Sequence, residues 1–393
     1  MKYNFDELYP RENTDCVKYD LRKTWFGNKD VLPFWVADMD FRTPDFVIKA
    51  LKKRLEHENF GYPLKPKGYN ESIINWLKKR YSWDIKKAWI SFSPGVVPAI
   101  VLSVKAFTKP GDKIIVQPPV YFPFYECVEN HGRQLVFNQL QLRNGRYYFD
   151  FKDLKAKIDS RVKMLILCNP HNPGGSVWNT EELKELGRIC LDNDVLIFSD
   201  EIHSDLTLWG RKHIPIASLS AEIAEITLTA MAPSKTFNLA GMSTAFMVIS
   251  NKQLFTDYEN MLNDYHLGFG NTLGLEALKT AYSEGEEWLK QLVGYLEGNI
   301  SFIERYLEDH ISKIKMIKPE GTYLVWLNFR ELEMDPEELK RFLIHDAGLG
   351  LHDGPWFGPG GDGFQRMNVA CPRAYIEKGL NQLKEAIKKL STM

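Results

Sequence analysis

The sequence predicts an α/β protein: a large domain on a mainly parallel, seven-stranded sheet flanked by helices, and a smaller α+β domain after it. Three observations lead there. Short apolar runs recur from about residue 89, and helical patterns separate several of them; strands spaced in this way give a parallel sheet covered on both faces. A chain of 393 residues exceeds what one core normally holds. From residue 286 a long helical pattern leads into a module of different rhythm.

The elements follow in order. Residues 1–44 read as an irregular N-terminal arm, rich in Asp, Pro and Trp, that packs with the small domain. Residues 45–285 make the large domain. "TPDFVIKALKKRLEHENF" opens it as an amphipathic helix, with Thr43 as its cap and Pro44 in its first turn. Seven strand-like runs come next: "AWISFSP", "KIIVQPP", "RQLVFNQ", "VKMLILCNP", "DVLIFSDE", "EITLTAMAP" and "TAFMVIS". "TEELKELGRICLDND" is one of the helical spacers. Residues 286–393 make the small domain, with "GTYLVWLNF", "ELKRFLIHDAGLGL" and "RMNVACPR".

Composition excludes several classes. Lys+Arg (50) and Asp+Glu (51) cancel, so no basic surplus points to nucleic acid and no acidic tail to disorder. Cys16, Cys127, Cys168, Cys190 and Cys371 are scattered, odd in number and without a C-x-x-C pair. That argues against a disulfide framework and for a reducing cytoplasm. The charged start "MKYNFDELYPREN" has no signal-peptide core, and no apolar run is long enough to cross a bilayer. "GPGGDG" (Gly358, Gly360, Gly363) matches a dinucleotide fingerprint but precedes a strand, not a helix. His131, His213 and His345 lack metal-ligand spacing and read as surface residues.

The strand ends carry the chemistry, because in such sheets ligands gather beyond the carboxyl ends. "SFSPGVVPAI" is a strand, a glycine turn and a helix, whose first amides near Gly95, Val96 and Val97 would face an anion. "QPPVYFPFY" brings Tyr121, alone compatible with a core aromatic. "LCNPHNPGG" brings Asn169 and Asn172, and "IFSDEIHSDL" brings Asp200, Glu201 and His203. Acids after a strand are often helix caps, but Asp200 directly follows the apolar run. Finally Lys235 ends "LTAMAP", where lysine rarely belongs. An anion-binding helix start, a ring, an amide, a carboxylate and an amine together fit pyridoxal 5'-phosphate (PLP). The lysine would form its Schiff base and the carboxylate would keep its ring nitrogen protonated.

These motifs resemble the fold-type-I PLP enzymes, the class I/II aminotransferase superfamily, along nearly the whole chain. "LPFWVADMDF", "SPGVVPAI", "PPVYFPFY", "NPHNPGG", "SDEIHSDL", "APSKTFNLAG" and "NVACPR" resemble its cystathionine β-lyase / carbon–sulfur lyase subgroup. "DEIH" is a discriminating piece, since most transaminases have Tyr where His203 stands. The resemblance implies a catalytic Lys235 with Tyr121 and Asp200 beside it. It implies a cofactor shell of Gly95, Val96, Val97, Tyr121, Asn172, Asp200, His203 and Ser234. It implies that Tyr62 reaches the neighbouring subunit's cofactor, hence a homodimer with shared sites. Arg373, helped by Trp35 and Asn172, would hold the substrate, its guanidinium clamping the α-carboxylate; Trp35, Tyr121 and Trp356 are candidate pocket walls. Two positions depart from the superfamily: Ser243 stands where many members have a phosphate-binding Arg, and Ala232 where many have a hydroxyl.

The resemblance therefore implies α,β-elimination from L-cystathionine and related cysteine S-conjugates, giving a thiol, pyruvate and ammonia. An aminotransferase would use the same lysine, aspartate and arginine. A non-catalytic regulatory PLP-binding protein would tolerate their loss and often carries a DNA-binding module, and no basic helix-turn-helix precedes this domain.

Overall fold

The computed structural model describes residues 3–390. Its large sheet has seven strands: β1 (Ile90–Ser93), β2 (Lys113–Val116), β3 (Gln134–Phe137), β4 (Val162–Cys168), β5 (Leu196–Asp200), β6 (Thr227–Met231) and β7 (Ala245–Val248). Their order across the sheet is β1-β7-β6-β5-β4-β2-β3. Only β7 runs against the others. All six parallel strands therefore end on one edge.

Alternation along the strands explains why both faces are covered. Met164, Ile166, Phe198 and Leu228 point into one core, which includes Ile100 and Val104 of helix Val96–Phe107. Leu165, Leu167 and Ile197 point into the other, with Leu183, Leu186 and Ile189 of helix Thr180–Leu191. Each such side chain contributes about 1.5–3 kcal/mol by leaving water. The second helix starts where Asn179 and Glu182 exchange hydrogen bonds with each other's backbone N–H.

Thr43 does not cap the helix predicted after it. Helix α1 spans Asp45–Leu55, Pro44 stands at the cap position, and the Thr43 hydroxyl donates to the Asn238 carbonyl at 3.3 Å instead. Helix α2 (Tyr69–Tyr81) follows. The 25-residue helix Glu286–His310 leads to a four-stranded antiparallel sheet: β8 (Lys315–Ile317), β9 (Leu324–Asn328), β10 (His352–Asp353) and β11 (Phe364–Asn368), in the order β8-β9-β11-β10. Residues Leu32–Pro33 of the N-terminal stretch pair with Leu349–Gly350. The glycine run 358–363 is a loop before β11, as its sequence context required. His213 is not a surface residue: it is buried, and its Nε2–H donates to Glu201 at 2.7 Å. No helix among the described residues is long and apolar enough to cross a membrane, and they contain no His/Cys/Asp/Glu cluster that could hold a metal ion.

Candidate active site

Asp200 is the last residue of β5 and is buried. It accepts a hydrogen bond from the Ile202 N–H at 3.0 Å. No Lys or Arg among the described residues pairs with it. Burial therefore raises its pKa to about 7, against the smaller lowering pull of that N–H and of Lys235. Its neighbour Glu201 is committed elsewhere, to Ser199, His213 and the Ile216 N–H.

Lys235 lies one strand over, in the turn after β6. Its Nζ donates to the Ala37 carbonyl at 2.7 Å, which also accepts from the Tyr323 hydroxyl at 2.9 Å. Burial lowers its pKa to about 8; Asp38 and Asp200 oppose that and Arg366 adds to it. An amine so placed exchanges its proton near neutral pH.

Arg366 is the residue that motif reading missed. It sits in β11 directly opposite His352, 2% exposed. Its Nη1 donates to Asn172 Oδ1 at 3.1 Å, and its Nη2 to the Trp35 carbonyl at 2.8 Å and His352 Nδ1 at 3.2 Å. Nε has no partner among the described residues, and no Asp or Glu there pairs with the guanidinium. Burial lowers its pKa to about 10, so it stays charged at neutral pH.

Arg373 is not part of this assembly. It opens helix Arg373–Leu390, donates from Nε to Asn299 at 2.7 Å and stacks its guanidinium over Phe302 at 4.8 Å. The reason is geometric. Arg366 projects from the strand inside "FQRMNVAC", whereas Arg373 lies beyond the strand's end, where the chain has already turned into a helix. An arginine in the middle of the strand-like run "FQRMNVAC" is the signal that could have found it, because a buried guanidinium needs an anion.

The other expected residues divide. Gly95 precedes helix Val96–Phe107, so the Val96 and Val97 N–H groups lie in a first turn that has no intrahelical acceptor. Tyr121 packs against Phe122 and Phe124; burial raises the pKa of its hydroxyl, with Arg366 opposing that and Asp200 adding to it. His203 is buried, its Nδ1 has no partner among the described residues, and burial plus the charges of Lys235 and Arg366 hold the ring neutral. Ser234 lies beside Lys235, half-buried. The Trp35 indole N–H is tied to the Lys18 carbonyl, and its ring meets Trp25 at 4.9 Å. Trp25 in turn meets Trp356 at 5.6 Å. Tyr62 is elsewhere: it is 90% exposed and packs on Phe269.

Among the described residues, two buried ionisable groups thus lack a counter-charge, the Asp200 carboxyl and the Arg366 guanidinium, and Lys235 feels both. Uncompensated buried charges cost several kcal/mol each. They fit a ligand with a cationic end at Asp200 and an anionic group at Arg366. A PLP ring nitrogen and an amino-acid carboxylate meet that description, and the free helix amides at Val96 and Val97 suit a phosphate.

The family model described as aminotransferase class I and II matches residues 29–383. The cystathionine beta-lyase PatB of Bacillus subtilis (strain 168) is 43% identical over 385 residues, 98% of this chain and 100% of that protein. A PLP-bound chain from Clostridium difficile 630 superposes with a TM-score of 0.96 at 45% identity, covering 98% of this chain and 100% of that one. The PLP-bound C-S lyase from Staphylococcus hominis superposes at 0.92 with 34% identity and 98% of each chain covered.

Proposed function

We propose that this chain, which belongs to the class I and II aminotransferase family, is a PLP-dependent carbon–sulfur β-lyase. Its substrates are L-cystathionine and related cysteine S-conjugates; its products are a thiol, pyruvate and ammonia. One observation carries the chemistry: Lys235, in the turn after the strand next to Asp200, feels the buried charges of Asp200 and Arg366, neither of which pairs with an opposite charge among the described residues. The full-length match to a cystathionine beta-lyase favours elimination over amino-group transfer.

Lys235, Asp200, Asn172, Tyr121, His203, Ser234 and the amides of Gly95, Val96 and Val97 would hold the cofactor. When bound, PLP supplies the electron sink that makes the substrate α-proton removable. Asp200 keeps a cationic partner protonated from a dry site. Arg366 takes the substrate carboxylate, giving it the charge partner that the fold withholds. Lys235 accepts the α-proton. The Cβ–S bond then breaks, the sulfur leaves with the electron pair, and the proton on Lys235 can neutralise it. The three-carbon remainder hydrolyses to pyruvate and ammonia.

The assembly is part of this reading. Tyr62 is exposed beside Phe60, Leu64 and Phe269, which suits a homodimer in which Tyr62 completes the partner's site. Five free cysteines suit a reducing cytoplasm. The test is a product assay with PLP and L-cystathionine but no keto acid. Sustained release of pyruvate and thiol is expected. Conversion of the cofactor to its amine form, once and without pyruvate, would mean a transaminase.

A further inference from the structure

The turn after β5 carries another buried carboxylate that the reaction above does not use. Asp205 is 2% exposed, and donors from two distant stretches converge on it. Its Oδ2 accepts from the Thr236 hydroxyl at 2.9 Å. Its Oδ1 accepts from the Trp76 indole N–H at 3.0 Å and the Tyr81 hydroxyl at 2.5 Å. Arg80 Nε lies 3.0 Å from the same oxygen as an ion pair, at an angle too poor for a hydrogen bond.

Thr236 is fully buried and follows Lys235 in the chain. Asp205 lies five residues after Asp200, and the turn between them is closed by Ser204 N–H to the Glu201 carbonyl and Leu206 N–H to the His203 carbonyl. Helix α2 supplies the fixed end, with Trp76 stacked on Tyr282 at 5.1 Å. A carboxylate held by so many donors has one low-energy place. One group therefore registers the Lys235 turn against the Asp200 turn.

We infer that Asp205 is a positioning residue that acts through the Thr236 hydroxyl to set Lys235 against the substrate α-proton. The inference rests on the reading of Lys235 as the base. It does not depend on elimination, because amino-group transfer begins with the same proton removal.

The test therefore follows exchange of the α-proton of L-alanine, which has no leaving group, in heavy water with the PLP-loaded enzyme. Thr236→Val removes the donor and keeps the shape. It should fold, bind PLP, and lose between about ten- and a hundredfold in exchange kcat, with KM within about twofold. Thr236→Ser, which keeps the hydroxyl, should restore most of the rate. In the cofactor-free protein, the pH midpoint for chemical modification of Lys235 should shift in Thr236→Val and not in Thr236→Ser; Asp38, Asp200 and Arg366 are the charges that set it in the parent. Trp76→Phe removes one of the donors that fix Asp205 but keeps the Thr236 bond, so it should lower the exchange rate in the same sense and by less than Thr236→Val. Thr236→Ala reads the same loss should valine not be accommodated. A Thr236→Val enzyme with parental exchange and parental Lys235 titration, merely less heat-stable, would overturn the inference. So would a loss shared equally by Thr236→Ser.

Discussion

Charge at Arg366 and at Asp200 costs free energy when no ligand is bound, and each cost predicts a measurement. Arg366→Ala should raise KM for amino acids by about a hundredfold or more, the usual loss when a buried charge-assisted contact disappears. Arg373→Ala, whose guanidinium is spent on Asn299 and Phe302, should leave KM within about threefold. The reverse ranking in steady-state kinetics would return the clamp to Arg373. Asp200 has a native pKa of about 7 against an ordinary 3.8. A carboxyl raised in this way binds its proton more tightly folded than unfolded, so cofactor-free stability falls as pH rises from about 4 to 7. Asp200→Asn lacks that cost. In urea unfolding without PLP, its advantage over the parent should grow between pH 5 and 8, by at most roughly 2.5 kcal/mol. A constant difference would mean that Asp200 does not titrate there. Lys235 and Asp200 could be read from sequence because a charge directly after an apolar run is locally anomalous. Arg366 is equally anomalous, but in an alternating strand the side-chain direction decides its meaning, and that depends on His352 and Asn172, far away in sequence.

The seven strands of the large sheet coincide with the seven apolar runs because strand periodicity and helix spacing are local properties. The segment from Trp35 to Phe41 has no such signature. It lacks regular structure, yet other elements satisfy its backbone. Arg366 binds the Trp35 carbonyl, Asn368 those of Val36 and Asp38, Lys235 that of Ala37, and Asn238 those of Met39 and Phe41. The Asp40 N–H donates to Ala370. Beneath it, Lys18 and Arg11 pair with Asp38 and Asp40, with Lys18 and Asp40 almost wholly dry. A buried quartet of this kind adds little net stability but has few alternative arrangements, which suits it to fixing one geometry. Thr43 was misread for the same reason: its hydroxyl answers Asn238 in the lysine turn rather than its own helix. So was His213, whose partner Glu201 is twelve residues away. We propose the division into 1–44, 45–285 and 286–393 with this segment as the joint, since it touches the lysine turn and β11 alike.

At the scale of the whole molecule, the chain holds Lys235, Asp200 and Arg366 itself but leaves Tyr62 in solvent. If Tyr62 serves its own chain, the loop must fold inward; if it serves a partner, the present position is already correct. Exposed Phe60, Leu64 and Phe269 around it favour the second, because clustered exposed apolar side chains mark contact surfaces. A net charge of −1 offers little repulsion between copies. The two cases separate by complementation. A Lys235→Ala chain has no base but an intact Tyr62. A Tyr62→Ala chain has the base but no tyrosine. After co-refolding with PLP, mixed dimers form in which the Lys235-bearing site receives Tyr62 from the other chain. Random pairing gives roughly a quarter of parental sites, so thiol release should rise above the sum of the two variants alone. Activity that never exceeds that sum, with mixed dimers present by mass spectrometry, would confine Tyr62 to its own chain and remove the argument for shared sites.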